Sequence, residues 1–418
     1  MSALEDYNLI LLIPSGRSGS YLIQSLFDSH PEISMFPGVH NYYDLGLEKY
    51  QSVEEIARDF AKRNLQFFDS QSSYFNSPDC VQPIHYQIDS DRFIAEYAKL
   101  LKTAGNINNR NAWIMAHLAY SIVIGQKPES IKYIFFHLHI YSAEIVQSLL
   151  SDFPGLYFLA STRDPREEWS GYIRQIKSRF GTVKIHDKFL SWLKLSVRNR
   201  RHLPVLHDKC RVGHMRILDL ARLHLRQGKA VGELANWLNI KVVPQLIEST
   251  FVGQQWMGNG SERKSISGLQ VERAKNTYRE NVGKFEVELI EYFYWGILRS
   301  LNYPPSIERL TKFQAYSKVL LKREGIAWTK LQDKKELIEL WCKQSPSRTS
   351  LLVNVMRSGS KILPFGIMQT IAYGYLVVKD YHNSVVAFFK RYSLAELREL
   401  ENISETFLDF KWKSDIQI

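Results

Sequence analysis

The sequence is organised as short, predominantly apolar runs, each followed by a segment in which apolar residues recur with helical spacing. Residues 8–14, 132–139 and 156–160 form the clearest runs. A run of this kind predicts a strand buried on both faces, which is typical of a parallel sheet. The segments after the first two runs, residues 21–27 and 142–150, predict helices. Strands that alternate with helices predict an α/β fold in which helices flank a parallel sheet.

The remaining segments predict mainly helical structure. We expect helices and loops over residues 53–125, helical patches separated by loops over residues 217–240, and one long amphipathic helix over residues 270–300. The adjacent Pro304 and Pro305 are the clearest boundary signal in the chain. We therefore predict one domain over residues 1–305 and a mainly helical C-terminal extension over residues 306–418.

The composition indicates a globular protein, with 45% hydrophobic and 13% aromatic residues. Cys80, Cys210 and Cys342 are far apart and form no CxxC pair. We therefore expect neither a disulfide framework nor a metal site, and we favour a reducing compartment. We find no secretory signal and no apolar run as long as a membrane-spanning helix. These features predict a soluble, cytoplasmic protein that is at most peripheral to a membrane.

The positive charge is concentrated in one part of the chain. Residues 161–230 contain 17 Lys and Arg but 6 Asp and Glu, and this excess equals the net charge of +11. A basic surface favours an anionic partner, such as a nucleotide, an acidic glycan, nucleic acid or an anionic membrane. Nucleic acid is the weakest of these interpretations, because the basic stretch has no regular interleaving of aromatic residues. We expect no nucleic-acid partner.

A glycine- and serine-rich turn joins the first predicted strand to the first predicted helix. It consists of Ser15, Gly16, Arg17, Ser18, Gly19 and Ser20. The backbone N–H groups of a glycine turn that opens a helix bind phosphate-like anions. Serine hydroxyls add further donors, and Arg17 adds a permanent positive charge. The turn lacks the Gly-Lys-Ser/Thr sequence of an ATP-binding P-loop, so it favours anion binding without the usual Mg²⁺ arrangement.

Three segments together resemble the sulfotransferases that use 3′-phosphoadenosine 5′-phosphosulfate (PAPS). Residues 13–22, followed by residues 28–32, resemble the family's 5′-phosphosulfate loop. Residues 159–167, which contain the sequence Arg-Asp-Pro-Arg, resemble its 3′-phosphate motif. Residues 251–268 look like its late basic loop.

The resemblance extends over residues 8–303 and implies the P-loop-like sulfotransferase fold, PAPS as the sulfuryl donor and no metal. The Arg-Asp-Pro-Arg form is closer to the carbohydrate and protein sulfotransferases than to the small-phenol type.

The resemblance also implies roles for individual residues. The donor-binding set is Ser15, Gly16, Arg17, Ser18, Gly19, Ser20 and Tyr21 at the phosphosulfate, Arg163 and Ser170 at the 3′-phosphate, and Arg263 and Lys264 in the late loop. Three positions depart from the family pattern. Ser265 in the late loop stands where many cytosolic members have Gly, which counts against Arg263 and Lys264. The family's serine usually falls eight residues after the arginine, whereas Ser170 falls seven after Arg163. Arg17 stands where many members have Lys, so we expect it to stabilise charge on the bridging oxygen and not to donate a proton.

A general base is expected to accept the proton of the acceptor hydroxyl. His139, at the end of the predicted strand over residues 132–139, is our first candidate, and His40 is the second. The predicted function is sulfuryl transfer from PAPS to a hydroxyl or amine, on a glycan or glycolipid. The alternatives are a P-loop nucleotide phosphotransferase that binds ATP with Mg²⁺, and a non-catalytic protein that binds adenosine bisphosphate.

The C-terminal region, residues 306–418, has two interpretations. We favour a helical extension that packs on the core or forms a homodimer contact. The alternative is docking on a membrane surface through residues 361–392, which mix apolar and basic side chains.

Overall fold

The computed structural model describes residues 4–40, 43–73, 75, 82–138, 143–180, 185–200, 203, 207–208, 213–258, 268–275, 277–306, 308–310, 315, 399–400 and 402–403. These residues divide into two compact units. The first unit contains the described residues up to 180 and those from 199 to 281. The second contains residues 185–198 and the described residues from 282 to 403.

A parallel five-stranded sheet forms the centre of the first unit. Its strands are β1 (Asn8–Pro14), β2 (Ile33–Met35), β3 (Tyr133–His137), β4 (Tyr157–Thr162) and β5 (Met215–Asp219), in the spatial order β2-β3-β1-β4-β5. Strand β1 lies between β3 and β4 and pairs in parallel with both. Every residue of β1 from Leu9 to Pro14 is buried, as expected for a central strand covered on both faces. The predicted α/β fold, a parallel sheet flanked by helices, is confirmed.

Helices and one small hairpin surround this sheet in the first unit. The helices are α1 (Ser20–Phe27), α2 (Val53–Arg63), α3 (Ser90–Thr103), α4 (Asn109–Val123), α5 (Ala143–Asp152), α6 (Pro165–Phe180), α8 (Leu220–Leu238) and α9 (Tyr278–Asn281), and the hairpin pairs β6 (Thr250–Phe251) with β7 (Gln254–Gln255). Helix α7 (Ile185–Arg200) belongs mostly to the second unit, and only its last two residues are grouped with the first. Helices α2 to α4 confirm the helices predicted over residues 53–125.

The structure modifies two predictions about later segments. Residues 217–240 begin with the end of strand β5 and continue as helix α8, which is kinked at Gln227 (φ 16°, ψ −102°), so the predicted helical patches are joined by a kink and not by loops. Residues 270–300 do not form one helix, because the chain is broken into short helical pieces around Thr277 and Gly283. The backbone N–H groups of Thr277 and Tyr278 both donate to the carboxylate of Glu167, which draws this segment out of a continuous helical ladder.

The second unit contains helices α10 (Lys284–Phe293) and α11 (Trp295–Ser300) as well as most of α7. Trp192 stacks with Tyr294 at 6.4 Å between ring centroids, and Arg198 pairs with Glu399 at 2.8 Å. Most of residues 306–418 lie outside the described residues, so the domain boundary at 305 and both interpretations of the extension remain predictions. Among the helices that the structure describes, none combines the length and apolar character needed to cross a membrane.

Candidate functional site

The glycine turn lies at the carboxyl end of β1 and leads directly into α1. Gly16, Arg17 and Gly19 have positive φ angles of 99°, 47° and 78°. Gly19 is the N-cap residue of α1 and provides no side-chain cap, so the first backbone N–H groups of the helix are left for another acceptor. A Cβ atom on Gly19 would lie 2.5 Å from Leu220 Cδ1. Glycine is therefore required at this position both by backbone conformation and by space.

Two serines hold the turn against strand β4 and helix α6. Ser15 Oγ donates to Glu168 Oε1 at 2.7 Å, and the Ser15 backbone N–H donates to the Ser161 carbonyl at 3.0 Å. Ser18 Oγ and Ser161 Oγ are 2.7 Å apart. These hydroxyls therefore have partners within the protein and fix the shape of the turn. Ser20 is buried in the first turn of α1.

Two of the predicted arginines meet beside Gly171. Arg163 Nη1 lies 3.9 Å, and Arg17 Nε 4.0 Å, from the position that a Cβ atom on Gly171 would occupy. Arg17 comes from the turn after β1, and Arg163 directly follows β4. Because these neighbouring parallel strands end at the same edge of the sheet, the fold brings the two predicted anion-binding segments together.

Buried ion pairs support this edge of the sheet. Asp164 pairs with Arg166 at 2.6 Å, Glu167 pairs with Arg163 at 3.1 Å, and Glu168 pairs with Arg200. The Glu168 and Arg200 side chains are both 0% exposed. Burial raises the pKa of Glu168 to about 7, against the lowering effects of Arg200 and of the hydrogen bond from Ser15. Glu168 therefore connects helix α6 to the turn through the hydrogen bond from Ser15 and to the end of helix α7 through Arg200.

Arg174 is a site residue that the sequence analysis missed. Its Nη1 atom donates to Ser170 Oγ at 3.0 Å and to Thr277 Oγ1 at 3.4 Å. Burial lowers the pKa of Arg163, and the nearby positive charge of Arg174 acts in the same direction, whereas Glu167 opposes both. Helical spacing could have identified Arg174 from the sequence, because it follows Ser170 by four residues and therefore lies on the same face of α6.

His40 lies in an aromatic core. Its ring stacks on Phe136 at 3.8 Å and also contacts Phe67 and Trp113. The side chain is almost fully buried, and its Nε2 atom has no hydrogen-bond partner among the described residues. Burial lowers the pKa of His40 to about 3, so the ring is neutral and only weakly basic. These surroundings suit a packing role better than proton transfer to or from an acceptor.

Of the remaining predicted residues, Tyr21 packs against the core and the other three lie outside the described part of the chain. The ring of Tyr21 packs edge-on against Phe75, His137 and Phe251, so it contributes to the core beside the turn. His139, Arg263 and Lys264 lie outside the described residues. Within the described part of the chain, no group of three or more His, Cys, Asp or Glu side chains could hold a metal ion.

A surface cleft of about 450 Å³ lies at the opposite edge of the sheet, beside the starts of β1 and β3. Glu32 in this cleft pairs with Lys132 at 2.5 Å and accepts a hydrogen bond from the Lys241 backbone N–H at 2.8 Å. The acid is therefore neutralised within the protein. The cleft lies at the starts of the strands, whereas the glycine turn lies at the end of β1, and none of the predicted site residues lines the cleft.

The comparisons with known proteins give a weak structural likeness. No protein-family model and no curated protein matches the chain. The sulfotransferase domain from the curacin biosynthetic pathway is 15% identical, with a TM-score of 0.41 over 68% of this chain and 96% of that domain. The sulfotransferase domain from the Synechococcus PCC 7002 olefin synthase is 13% identical, with a TM-score of 0.41 over 67% of this chain and 90% of that domain. At these values the likeness does not establish a family or a function for the chain.

Proposed function

We propose that this chain transfers a sulfuryl group from PAPS to an acceptor hydroxyl or amine. The observation that carries the proposal is the convergence of Arg17 and Arg163 beside Gly171, next to the uncapped start of α1. Two anion-binding groups on neighbouring strand ends suit a nucleotide that carries two separate phosphate groups. The resemblance of both segments to the sulfotransferase motifs supports the same donor.

The described residues fit such a donor. The backbone N–H groups of residues 16–20, together with Arg17, would hold the 5′-phosphosulfate, and Arg163 with Ser170 would hold the 3′-phosphate. Nothing lies within 4 Å of the Cβ position of Gly16, so phosphate oxygens can approach the backbone of the turn there. Ser15 and Ser18 support the turn through Glu168 and Ser161. Arg263 and Lys264 would close over the 3′-phosphate from the late basic loop.

The transfer requires positioning and charge stabilisation more than covalent chemistry by the protein. The acceptor and the leaving phosphate lie in line with the sulfur atom, and negative charge grows on the bridging oxygen as its bond to sulfur breaks. Arg17 would stabilise that charge, because its guanidinium stays protonated. His139 is the base that we propose to accept the acceptor proton. We assign His40 no proton-transfer role, because its ring is buried and only weakly basic.

A glycan or glycolipid is the acceptor class that we propose. The excess of basic residues over positions 161–230 suits an acidic or already sulfated acceptor. The Arg-Asp-Pro-Arg form of the 3′-phosphate motif resembles that of the carbohydrate and protein sulfotransferases. We propose a cytoplasmic setting for this activity, on the basis of the sequence features described above.

Calorimetric titration with adenosine 3′,5′-bisphosphate, the nucleotide product, tests this function. We expect binding that falls about 10- to 100-fold in Arg163→Ala, because one charge-assisted contact to phosphate is lost. Lys177→Ala is the control, since it also removes one positive charge, from an exposed position of helix α6, which begins two residues after Arg163. Tighter binding of Mg-ATP than of the bisphosphate would favour a nucleotide phosphotransferase. Bisphosphate binding without transfer of label from [³⁵S]PAPS to any glycan acceptor would favour the non-catalytic alternative.

A further inference from the structure

Arg174 is a partly buried cation whose hydrogen bonds, within the described part of the chain, all go to neutral groups. Its two hydrogen bonds go to the hydroxyls of Ser170 and Thr277. Among the residues that the structure describes, no carboxylate lies within ion-pair distance of its guanidinium. Withdrawal of a guanidinium from water without a counter-charge is unfavourable, so an arrangement of this kind favours an anionic ligand.

The acids near Arg174 are already paired with other cations. Asp164 pairs with Arg166, Glu167 pairs with Arg163, and Glu168 pairs with Arg200. Glu167 also accepts hydrogen bonds from the backbone N–H groups of Thr277 and Tyr278, so its carboxylate has further partners. The three acids at the start of α6 therefore leave the charge of Arg174 unbalanced.

Arg174 also lies close to a second guanidinium. Its positive charge lowers the pKa of Arg163, because like charges repel one another. Ser170 lies between the two arginines, since its hydroxyl accepts a hydrogen bond from Arg174 and it directly precedes Gly171, beside which Arg163 Nη1 lies. Two guanidinium groups around one buried hydroxyl and one glycine are a set of donors that favours a doubly charged oxyanion.

We propose that Arg174 binds the 3′-phosphate of the donor together with Arg163, and that it holds the Ser170 hydroxyl toward that phosphate. This inference rests on the proposed function and assigns a binding residue to it. It also accounts for the position of Ser170, which is seven residues after Arg163 where the resembled family usually has eight. The bidentate guanidinium of Arg174 supplies donors from the next turn of α6.

The test compares adenosine 3′,5′-bisphosphate with adenosine 5′-monophosphate, which lacks the 3′-phosphate. Both are titrated by calorimetry into the full chain, Arg174→Gln, Arg174→Lys and Lys177→Ala. The Gln side chain keeps an N–H donor for Ser170 and Thr277 but removes the charge. The Lys side chain keeps the charge but loses the planar fork. Thermal unfolding of each variant separates loss of binding from loss of folding.

We expect Arg174→Gln to weaken bisphosphate binding about 10- to 100-fold and to change monophosphate binding less than about 2-fold. Arg174→Lys should give an intermediate loss, and Lys177→Ala should bind both nucleotides like the unaltered chain. Equal loss for both nucleotides, or unchanged bisphosphate binding in a folded Arg174→Gln, would overturn the inference and leave the proposed function standing. Failure of the unaltered chain to bind the bisphosphate would overturn the proposed function and this inference with it.

Discussion

At the scale of single residues, Gly19 meets two independent demands at one position. Its φ angle of 78° lies in the left-handed region, and the space for a side chain is filled by Leu220. Gly16, with a φ angle of 99°, meets only the first demand, since nothing lies within 4 Å of its Cβ position. A comparison of substitutions at the two glycines therefore distinguishes the cost of backbone strain from the cost of a steric clash.

Gly19→Ala should destabilise the protein more than Gly16→Ala, because only the first adds a clash to the backbone strain. A left-handed conformation costs a non-glycine residue about 1–2 kcal/mol. We expect urea unfolding to show about this loss for Gly16→Ala and a larger loss for Gly19→Ala. Gly19→Ala should cost less when it is added to Leu220→Ala than when it is made in the unaltered chain, because the clash is then removed. An equal loss for Gly16→Ala and Gly19→Ala, with no coupling between positions 19 and 220, would contradict this account of the turn.

The sequence could predict the turn but not the partners of its side chains. The Gly and Ser pattern between a strand and a helix is a local signal, and the structure has the turn where we predicted it. The bonds from Ser15 to Glu168 and from Ser18 to Ser161 join residues more than 140 positions apart. Helical spacing could have predicted the position of Arg174 beside Ser170, whereas the contacts of Glu168 with Ser15 and Arg200 depend on the folded sheet.

At the scale of elements, helix α8 connects strand β5 to the glycine turn. Asp219 ends β5 and is the N-cap of α8, where its Oδ1 atom accepts the Arg222 backbone N–H at 2.8 Å. Leu220, the first residue of the helix, packs against Gly19. The start of α8 is therefore fixed both by its cap and by the turn that we propose to bind the donor.

Asp219→Ala should weaken both the helix and the donor site, because the cap residue directly precedes Leu220. Asp89 is a matched control, since it caps α3 through an equivalent 2.8 Å bond from the Arg92 backbone N–H. Loss of either cap should cost about 0.5–2 kcal/mol in urea unfolding. Binding of adenosine 3′,5′-bisphosphate should fall in Asp219→Ala and stay unchanged in Asp89→Ala. A parallel loss of binding in both variants would show that α8 has no special link to the turn.

Element prediction succeeded where the signal was local and failed where it was not. Strand β1 and helix α1 follow directly from the apolar pattern around residues 8–27. Strand β5 was missed because it is five residues long and includes the partly exposed Arg216. The predicted helix over residues 270–300 is broken by bonds to Glu167, which is 110 residues from Thr277 in the chain. No local pattern contains that contact.

At the scale of the whole molecule, buried histidines with a lowered pKa, among them His40 and His224, make stability depend on pH. Burial lowers the pKa of His40 to about 3 and that of His224 to about 4, from 6.5 in both cases. The unfolded chain therefore binds more protons than the folded chain between about pH 4 and pH 6.5, so stability is lost as the pH falls through this window. Glu168 acts in the opposite direction between about pH 4.5 and pH 7, because its pKa is raised.

Unfolding free energies measured at pH 7.5 and pH 5 should show the loss on acidification. Each buried histidine contributes a slope of up to about 1.4 kcal/mol per pH unit within its window, and Glu168 offsets part of the sum. His40→Phe should flatten the dependence, since it keeps an aromatic ring in the cluster and removes one titrating group. An identical slope in His40→Phe and the unaltered chain would mean that His40 does not carry the effect.

The whole fold also accounts for the place of the proposed site. Strand β1 leads to β2 on one side of the sheet and β4 leads to β5 on the other, so the strand order reverses between β1 and β4, the position at which open α/β sheets generally bind ligands. Alternation of strands and helices predicted the class of fold, but the strand order that places Arg17 beside Arg163 arises from long-range pairing. The acceptor region depends on loops whose arrangement a local pattern does not determine.

A crystal structure of the chain with adenosine 3′,5′-bisphosphate is the measurement that tests the central claim most directly. We predict that the 5′-phosphate lies against the backbone N–H groups of residues 16–20 and that the 3′-phosphate lies against Arg163. Electron density for the nucleotide in the cleft beside Glu32 and Lys132, with none at the glycine turn, would contradict the account.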